Sequence, residues 1–298
     1  MPGITLLGLG PGDPEQITRQ AWAWLESCGQ ALLRTRQHPV VAHLPAGLEI
    51  LSCDDLYEAG SSFEAVYAAI VERVLELGRR EQGITYAVPG HPFVAETTGP
   101  EIARRAAQEG IPLRVIEGLS FLEPTFTALG LDPFPGTVLV DGVELARLHH
   151  PGFAPSQPAL ITQVYSRQVA SDVKLSLMAV YSDEYPVVMI HAAGTAGQVI
   201  ERIPLYQVDR SRSIGLLTAL YIPPLPADTA FEDFQEVVAR LRAPDGCPWD
   251  REQTHESLRK YLLEETYEAL DALDAGDLEG MREEFGDLLL QIVLHAQI

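Results

Sequence analysis

Ile4-Thr5-Leu6-Leu7-Gly8-Leu9-Gly10-Pro11-Gly12-Asp13-Pro14 is the stretch on which the fold turns. Its first five residues suit a buried strand, and the alternating glycines that follow suit a tight loop. Asp13 is an expected N-cap, with Pro14 at the first helical position, where its missing amide costs nothing. Strand, glycine loop and helix start together begin an α/β unit. The loop reads G-x-G-x-G and lacks the third glycine of the dinucleotide fingerprint. Asp13 and Glu15 at the helix start would repel a pyrophosphate, whereas a cationic cofactor meets no such penalty.

Outward from this loop, short apolar runs at 84–88, 113–116, 160–165 and 187–191 recur between Gly/Pro turns and longer amphipathic stretches. Strands alternating with helices predict an α/β fold. Residues 221–227, Tyr-Ile-Pro-Pro-Leu-Pro-Ala, are too proline-rich to continue either element and mark the expected domain boundary. Beyond it the period becomes helical. Thr229 with Glu232 reads as a capping box, and Phe231, Phe234, Val238 and Leu241 predict a helix that stops at Pro244-Asp245-Gly246. Asp250 with Gln253 predicts the N-cap of a second helix, with Leu258, Tyr261 and Leu262 inward, fading near Ala275-Gly276. A third helix is expected from about Leu278 to the last residue.

The chain has 298 residues, 46% of them hydrophobic, which is more than one small core requires. Three scattered cysteines, Cys28, Cys53 and Cys247, fit neither a disulfide framework nor a zinc site, and Cys247 reads as structural. With no basic leader and no apolar run of membrane-spanning length, a cytoplasmic protein without membrane contact is expected. A net charge of −21 disfavours nucleic acid as a partner and favours small molecules. The excess is uneven: residues 228–298 carry 18 of the 42 acidic side chains and 6 of the 21 basic ones, more than half of the net charge.

Within that acidic quarter, Glu264, Glu265 and Glu268 share one helical turn, and Glu284 and Asp287 are three apart. If the two helices pack antiparallel through Leu262, Leu270, Phe285, Leu288, Leu289 and Ile292, their carboxylates converge and repel. A hard divalent cation such as Mg²⁺ relieves that repulsion and keeps positions open for water and phosphate oxygens, which points to a polyphosphate substrate. Any one of these carboxylates taken alone reads first as an ordinary solvated helix residue.

Cys247-Pro248-Trp249-Asp250, Gln253-Thr254-His255, Leu262-Leu263-Glu264-Glu265-x-x-Glu268 and Glu284-x-x-Asp287-Leu288-Leu289-Leu290-Gln291 resemble the MazG family of nucleoside triphosphate pyrophosphohydrolases. The resemblance implies an all-α segment that hydrolyses an NTP to NMP and pyrophosphate. It makes Glu265, Glu268, Glu284 and Asp287 the Mg²⁺ ligands, with Glu264 supporting or activating water. Lys260 reads as a phosphate contact or a surface lysine, and Trp249 as a base-stacking ring or an aromatic plug. The chain ends at Ile298 inside an apolar helix, whereas the family continues into a basic, phosphate-holding segment. The metal-binding half is therefore expected without its phosphate clamp.

The glycine loop, together with Val88-Pro89-Gly90-His91-Pro92, Gly118-Leu119-Ser120-Phe121 and Gly194-Thr195-x-x-Gln198, resembles the tetrapyrrole methylase superfamily over about residues 3–222. That family binds S-adenosylmethionine between two α/β subdomains. By resemblance, Pro11, Gly90, His91, Val94, Ser120 and Phe121 line the cofactor site, and Val164 and Ala192 approach from the second subdomain. Many relatives have Asp where His91 stands; Gly-His-Pro marks the YabN-like branch, in which this domain is fused to MazG. The methyl acceptor is unreadable. Gln163, Tyr165, Ser166 and Arg167 form a polar cluster that a turn explains nearly as well.

The resulting expectation is two α/β subdomains of tetrapyrrole-methylase type (about 1–118 and 119–222), a linker at 223–230 and a partial MazG-like all-α domain at 231–298. Functionally it is a fusion of an S-adenosylmethionine-dependent methyltransferase with a Mg²⁺-dependent NTP pyrophosphohydrolase. The alternative is a cofactor sensor or assembly module whose MazG segment serves only in dimerisation. A homodimer is expected in either case, because the apolar face at Leu289, Ile292, Val293 and Ala296 needs covering.

Overall fold

The structure is a computed structural model that describes residues 3–60, 62–226 and 230–298. Its first layer is a parallel sheet of five strands, Ile4–Gly8 (β1), Gln30–Leu33 (β2), Glu49–Ser52 (β3), Ile84–Val88 (β4) and Leu113–Ile116 (β5), in the order β3-β2-β4-β1-β5. Every residue of β1 and β4 is buried, as the central strands of a sheet covered on both faces must be. Alternation along β1 divides its side chains between two cores. Ile4 and Leu6 pack with Ile70, Val74 and Ile102 from the helices Phe63–Gly78 and Thr98–Glu109; Leu7 packs with Ala21 and Leu25 of Arg19–Ser27.

The helix after the glycine loop departs from expectation. Asp13 does cap, accepting from the Glu15 amide at 2.9 Å, but it opens only a 3₁₀ turn over Pro14–Gln16. The α-helix starts at Arg19, where the Thr18 hydroxyl accepts from the Ala21 amide. A second capping residue five positions on displaces the helix start.

The second sheet comprises Val138–Asp141 (β6), Ala159–Thr162 (β7), Pro186–His191 (β8), Val199–Pro204 (β9) and Thr218–Ile222 (β10), in the order β6-β7-β10-β8-β9. Only β6 and β7 pair in parallel; the remaining pairs are antiparallel. Its strand at 160–165 is shorter than expected and stops at Thr162, because Gln163 takes a left-handed φ of 57° that turns the chain out of the ladder. Ser166 then caps the helix Arg167–Leu177, so the polar cluster there is a turn and a helix start.

The proline-rich segment is fastened to this sheet. The Tyr185 hydroxyl donates toward the carbonyls of Pro223 and Pro224 at 3.1 and 2.9 Å, and the Leu225 amide donates to Pro155 at 2.8 Å. Prolines leave carbonyls without matching donors, and a tyrosine supplies one.

Four helices follow, here numbered α1 (Phe231–Leu241), α2 (Pro248–Glu252), α3 (His255–Ala275) and α4 (Leu278–Gln297). Thr229, half of the expected capping box, lies outside the described residues; the N-cap of α1 is Ala230, which makes no side-chain cap. Asp250 is not the N-cap of the long helix. Pro248 initiates the short α2 around it, and the long helix starts after Thr254, whose reciprocal hydrogen bonds with Ser257 (3.2 and 2.9 Å) form the capping box. The helix ends, as expected, at Gly276 with φ 67°.

The packing of α3 on α4 also differs from the expected two-helix contact. Because α1 joins them, the core consists of Val238, Leu258, Val293 and Leu294, flanked by Phe234, Tyr261 and Leu290. Leu270, Phe285, Leu289 and Ile292, expected at the contact, are exposed. A three-helix core needs a different face of each helix than a two-helix one. No helix among the described residues is long and apolar enough to cross a membrane.

Candidate functional sites

Gly8 ends β1, Gly90 follows β4 and Gly118 follows β5, so all three lie at the carboxyl ends of parallel strands, where open α/β sheets bind ligands. A Cβ on Gly8 would lie 2.5 Å from the Gly90 carbonyl oxygen and 2.6 Å from the Gly118 nitrogen, so no side chain fits there. Gly10 and Gly90 exchange backbone hydrogen bonds at 3.2 and 2.8 Å, which ties the glycine loop to the loop after β4. From the second sheet, the segment after β8 meets this loop: a Cβ on Gly12 would lie 2.9 Å from Thr195 Cγ2.

Between the two sheets these loops line an open cleft with a cavity of about 190 Å³. The first sheet contributes Pro11, Gly90, Val94 and Phe121 to its wall, all four expected at the cofactor site. The second sheet contributes Thr162, Gln163, Ile190, Ala193 and Leu216–Ala219. The non-glycine residues with left-handed φ among those described are Ala95 (51°), Gln163 (57°) and Ala192 (49°). Two of them line the cavity and the third adjoins Ala193. Each costs on the order of 1–3 kcal/mol, and such strain gathers where a ligand site over-determines the backbone.

Four other expected cofactor residues do not reach the cavity wall. His91 folds back on its own loop, Nδ1 accepting from the Phe93 amide at 3.1 Å. The Ser120 hydroxyl is committed to Glu123 at 2.7 Å and to the Leu122 amide at 3.0 Å. Val164 is fully buried in the second sheet's core, because the turn at Gln163 rotates it inward. Ala192 lies next to the wall residue Ala193, its amide donating to the Leu217 carbonyl at 2.8 Å.

Sequence reasoning singled out Gln163 but missed Arg34, His38, Glu96 and Thr218 in the wall of this cavity. Arg34, just after β2, pairs with the buried Glu96 and bonds the hydroxyls of Tyr57 (2.9 Å) and Tyr67 (3.3 Å). Burial works against the Arg34 charge, but Glu96 and the tyrosines outweigh it and hold its pKa above the ordinary value. Glu96 also accepts from the Thr98 amide at 3.0 Å. His38 is 5% exposed, and both of its ring nitrogens are closed off from solvent. Burial pulls its pKa down to about 4, opposed by a hydrogen bond to the Pro11 backbone carbonyl. Thr218 accepts from the Gly215 amide at 2.8 Å and lies 3.0 Å from His191 Nδ1, which braces the Leu216–Leu217 wall. Arg34 and His38 follow a strand in a segment without motif residues, so only the tertiary fold brings them in.

The second site lies on the antiparallel pair α3 and α4. Carboxylate oxygens of Glu265, Glu268 and Glu284 all lie within 4.8 Å of one another. Asp287 falls outside that group, yet its charge acts on Glu265. Desolvation first, then Asp287, Glu268, Glu284 and Glu264, raise the pKa of Glu265. Glu284 is raised by desolvation and by Glu268, Glu283 and Asp287. An all-oxygen, mutually repelling set matches a hard divalent cation. Glu264 is exposed on the same turn. The Lys260 ammonium sits over the Tyr261 ring at 4.3 Å, and Trp249, half exposed, lies edge-on to the same ring at 5.9 Å.

Comparison with known proteins agrees with this two-part construction. Residues 3–209 match the family model of the tetrapyrrole (corrin/porphyrin) methylases, and residues 253–298 match the MazG nucleotide pyrophosphohydrolase domain. The protein YabN of Bacillus subtilis, itself described as uncharacterized, is 42% identical over 99% of this chain and 60% of its own length. The nucleoside triphosphate pyrophosphohydrolase/pyrophosphatase MazG of Thermotoga maritima is 53% identical over 72 residues, 24% of this chain and 28% of its own length. The chain thus spans less than two thirds of either relative. Two structures of the uroporphyrin-III C-methyltransferase of Thermus thermophilus share the fold. One has a TM-score of 0.59 at 21% identity and covers 74% of this chain and 94% of its own. The other, complexed with S-adenyl homocysteine, has a TM-score of 0.51 at 17% identity and covers 74% and 92%.

Proposed function

From the premise that the chain belongs to the tetrapyrrole methylase family and carries a MazG segment, we propose that it binds S-adenosylmethionine between its sheets and Mg²⁺ on α3 and α4. In the whole protein these sites serve a methyltransferase joined to a pyrophosphohydrolase that converts NTP and water to NMP and pyrophosphate. The observation that carries this reading is that each matched segment has its own built site: a strained, glycine-lined cavity in one and a carboxylate triad in the other.

The cavity fits a nucleoside cofactor by its close-approach backbone, where no Cβ fits at Gly8 or Gly118. Pro11, Gly90, Val94 and Phe121 would hold it, with Thr162 and Ala193 opposite. When bound, S-adenosylmethionine supplies an activated methyl group. The protein's part is to exclude water and align the acceptor, which needs no strong base. Glu265, Glu268 and Glu284 would hold the cation, with Asp287 adding charge and Glu264 beside them. When bound, the cation supplies neutralisation of phosphate charge and activation of water. Incubating the chain with each NTP and Mg²⁺ and assaying pyrophosphate tests the hydrolase reading. Release that Glu268→Ala abolishes supports it; no release from a chain extended to the full length of its relatives refutes it.

The alternative reading is cofactor binding without methyl transfer. A screen of methyl acceptors against labelled cofactor separates the two.

A further inference from the structure

His191, the last residue of β8, is buried between two strands that carry its partners. On β10, Thr218 lies opposite it in the ladder, with the hydroxyl oxygen 3.0 Å from Nδ1. On β9, a Glu201 carboxylate oxygen lies 3.7 Å from Nε2. The Thr218 hydroxyl decides where the ring carries its proton. Its oxygen already accepts from the Gly215 amide at 2.8 Å, and His191 Nδ1 is the acceptor within reach of its own proton among the described residues. The hydroxyl therefore donates to Nδ1, which leaves the ring proton on Nε2, facing Glu201. Two serines hold that carboxylate: the Ser213 hydroxyl donates to its other oxygen at 3.0 Å, and the Ser213 amide donates to the Ser211 hydroxyl at 3.1 Å. Burial works against the Glu201 charge, but Ser211, Ser213 and His191 outweigh it and hold its pKa below the ordinary value. Burial also lowers the His191 pKa in spite of Glu201, which keeps the ring neutral at physiological pH.

The consequence falls on the cavity wall. With its proton on His191, the Thr218 hydroxyl keeps a lone pair for the Gly215 amide, and the Thr218 amide donates to the Gly215 carbonyl at 3.1 Å. These two bonds close the turn from Gly215 to Thr218. The turn carries Leu216 and Leu217, 70% and 42% exposed, into the wall. Leucines this exposed have few packing neighbours of their own, so the turn sets where they stand. We propose that His191 is a positioning residue for the ligand of the cleft: clamped between Glu201 and Thr218, it fixes the turn that presents Leu216 and Leu217 to an apolar face of that ligand. His191 acts through Thr218 and touches no ligand itself. This rests on reading the cleft as the cofactor site.

Calorimetric titration of S-adenosylhomocysteine into wild type, His191→Leu, His191→Asn and Thr218→Val tests this. The side-chain oxygen of Asn takes the place of Nδ1 and accepts from Thr218, whereas Leu cannot. His191→Leu is expected to weaken binding about threefold to tenfold, the worth of one buried hydrogen bond. His191→Asn is expected to stay within about twofold of wild type by the same reasoning. Thr218→Val removes the same bond from the other side; its loss and that of His191→Leu are expected not to add in the double variant. The ring-nitrogen resonances of wild-type His191 are expected to show Nε2 protonated and Nδ1 bare. Unchanged affinity in His191→Leu, equal losses in the Leu and Asn variants, additive losses in the double variant, or a proton on Nδ1 overturns the proposal. If His191→Leu does not fold, the ring resonances and His191→Asn against Thr218→Val decide: a bare Nδ1 with loss only in Thr218→Val supports the proposal, and any other result overturns it. A wild type that binds no S-adenosylhomocysteine removes the cofactor reading itself, and this inference with it; a binding wild type beside an unaffected His191→Leu removes this inference alone.

Discussion

His38 combines two properties that a stability-optimised interior avoids, deep burial and a titratable ring. Its titration gives that conflict a sign. The folded-state value is about 4 against an ordinary 6.5, so between those values the unfolded chain binds a proton that the folded chain does not. The stability this contributes is fully present above about pH 6.5 and is lost as pH falls toward 4. The loss amounts to about 2 kcal/mol by pH 5. His191, lowered by burial in spite of Glu201, adds a loss of the same sign. Urea unfolding near pH 7.5 and pH 5 is expected to show a drop that His38→Leu makes shallower by that amount; equal drops in the two proteins would contradict the assignment. Little of this is legible in the sequence, where a histidine between a strand and a proline carries no signal. The glycines are legible because their constraint is local: a loop that must bring three backbones together admits no Cβ.

At the scale of elements, the α3–α4 pair holds like charges in one place without a bound counter-charge in its own side chains. Salt bridges elsewhere, such as Arg73 with Asp55, pair opposite charges, but the cluster of Glu265, Glu268 and Glu284 has no basic partner among the described residues. Removing one repelling charge in Glu284→Gln is expected to raise the melting temperature of the ligand-free protein slightly. The same change is expected to abolish the rise in melting temperature that millimolar Mg²⁺ or Mn²⁺ gives the wild type. A thermal melt with and without metal checks both; a metal-induced rise preserved in Glu284→Gln removes this carboxylate from the ligand set. The shared faces of the acidic residues and the start of α4 follow from helical spacing, whereas reading those residues as metal ligands needed the resemblance to MazG. The start of α3 does not, because Asp250 and Thr254 both qualify as caps, and only Pro248 beside the first decides for the second. The contact face of α3 and α4 is also hidden in the sequence, since it depends on α1 completing the core with Val238 and Phe234.

For the whole molecule, the two sheets and the helical part are joined by a segment docked on the second sheet through Tyr185 and Leu225, and Ser156 bonds Asp233 of α1 at 3.0 Å. Leu270, Phe285, Leu289 and Ile292 remain exposed on the helical part, an apolar surface that water solvates poorly. Pairing of two chains through it is expected: sedimentation equilibrium should give twice the 32.6 kDa chain mass, and Phe285→Glu with Leu289→Glu should return a monomer. A monomeric wild type would refute the pairing. The account as a whole stands on the cavity between the sheets being the cofactor site. Its most direct test is calorimetric titration of S-adenosylhomocysteine into the wild type and into Ala193→Trp, whose side chain would fill the cavity from the second sheet. One site per chain in the wild type and no binding in a folded Ala193→Trp is the predicted result; no binding to the folded wild type, or equal binding to both, would contradict it.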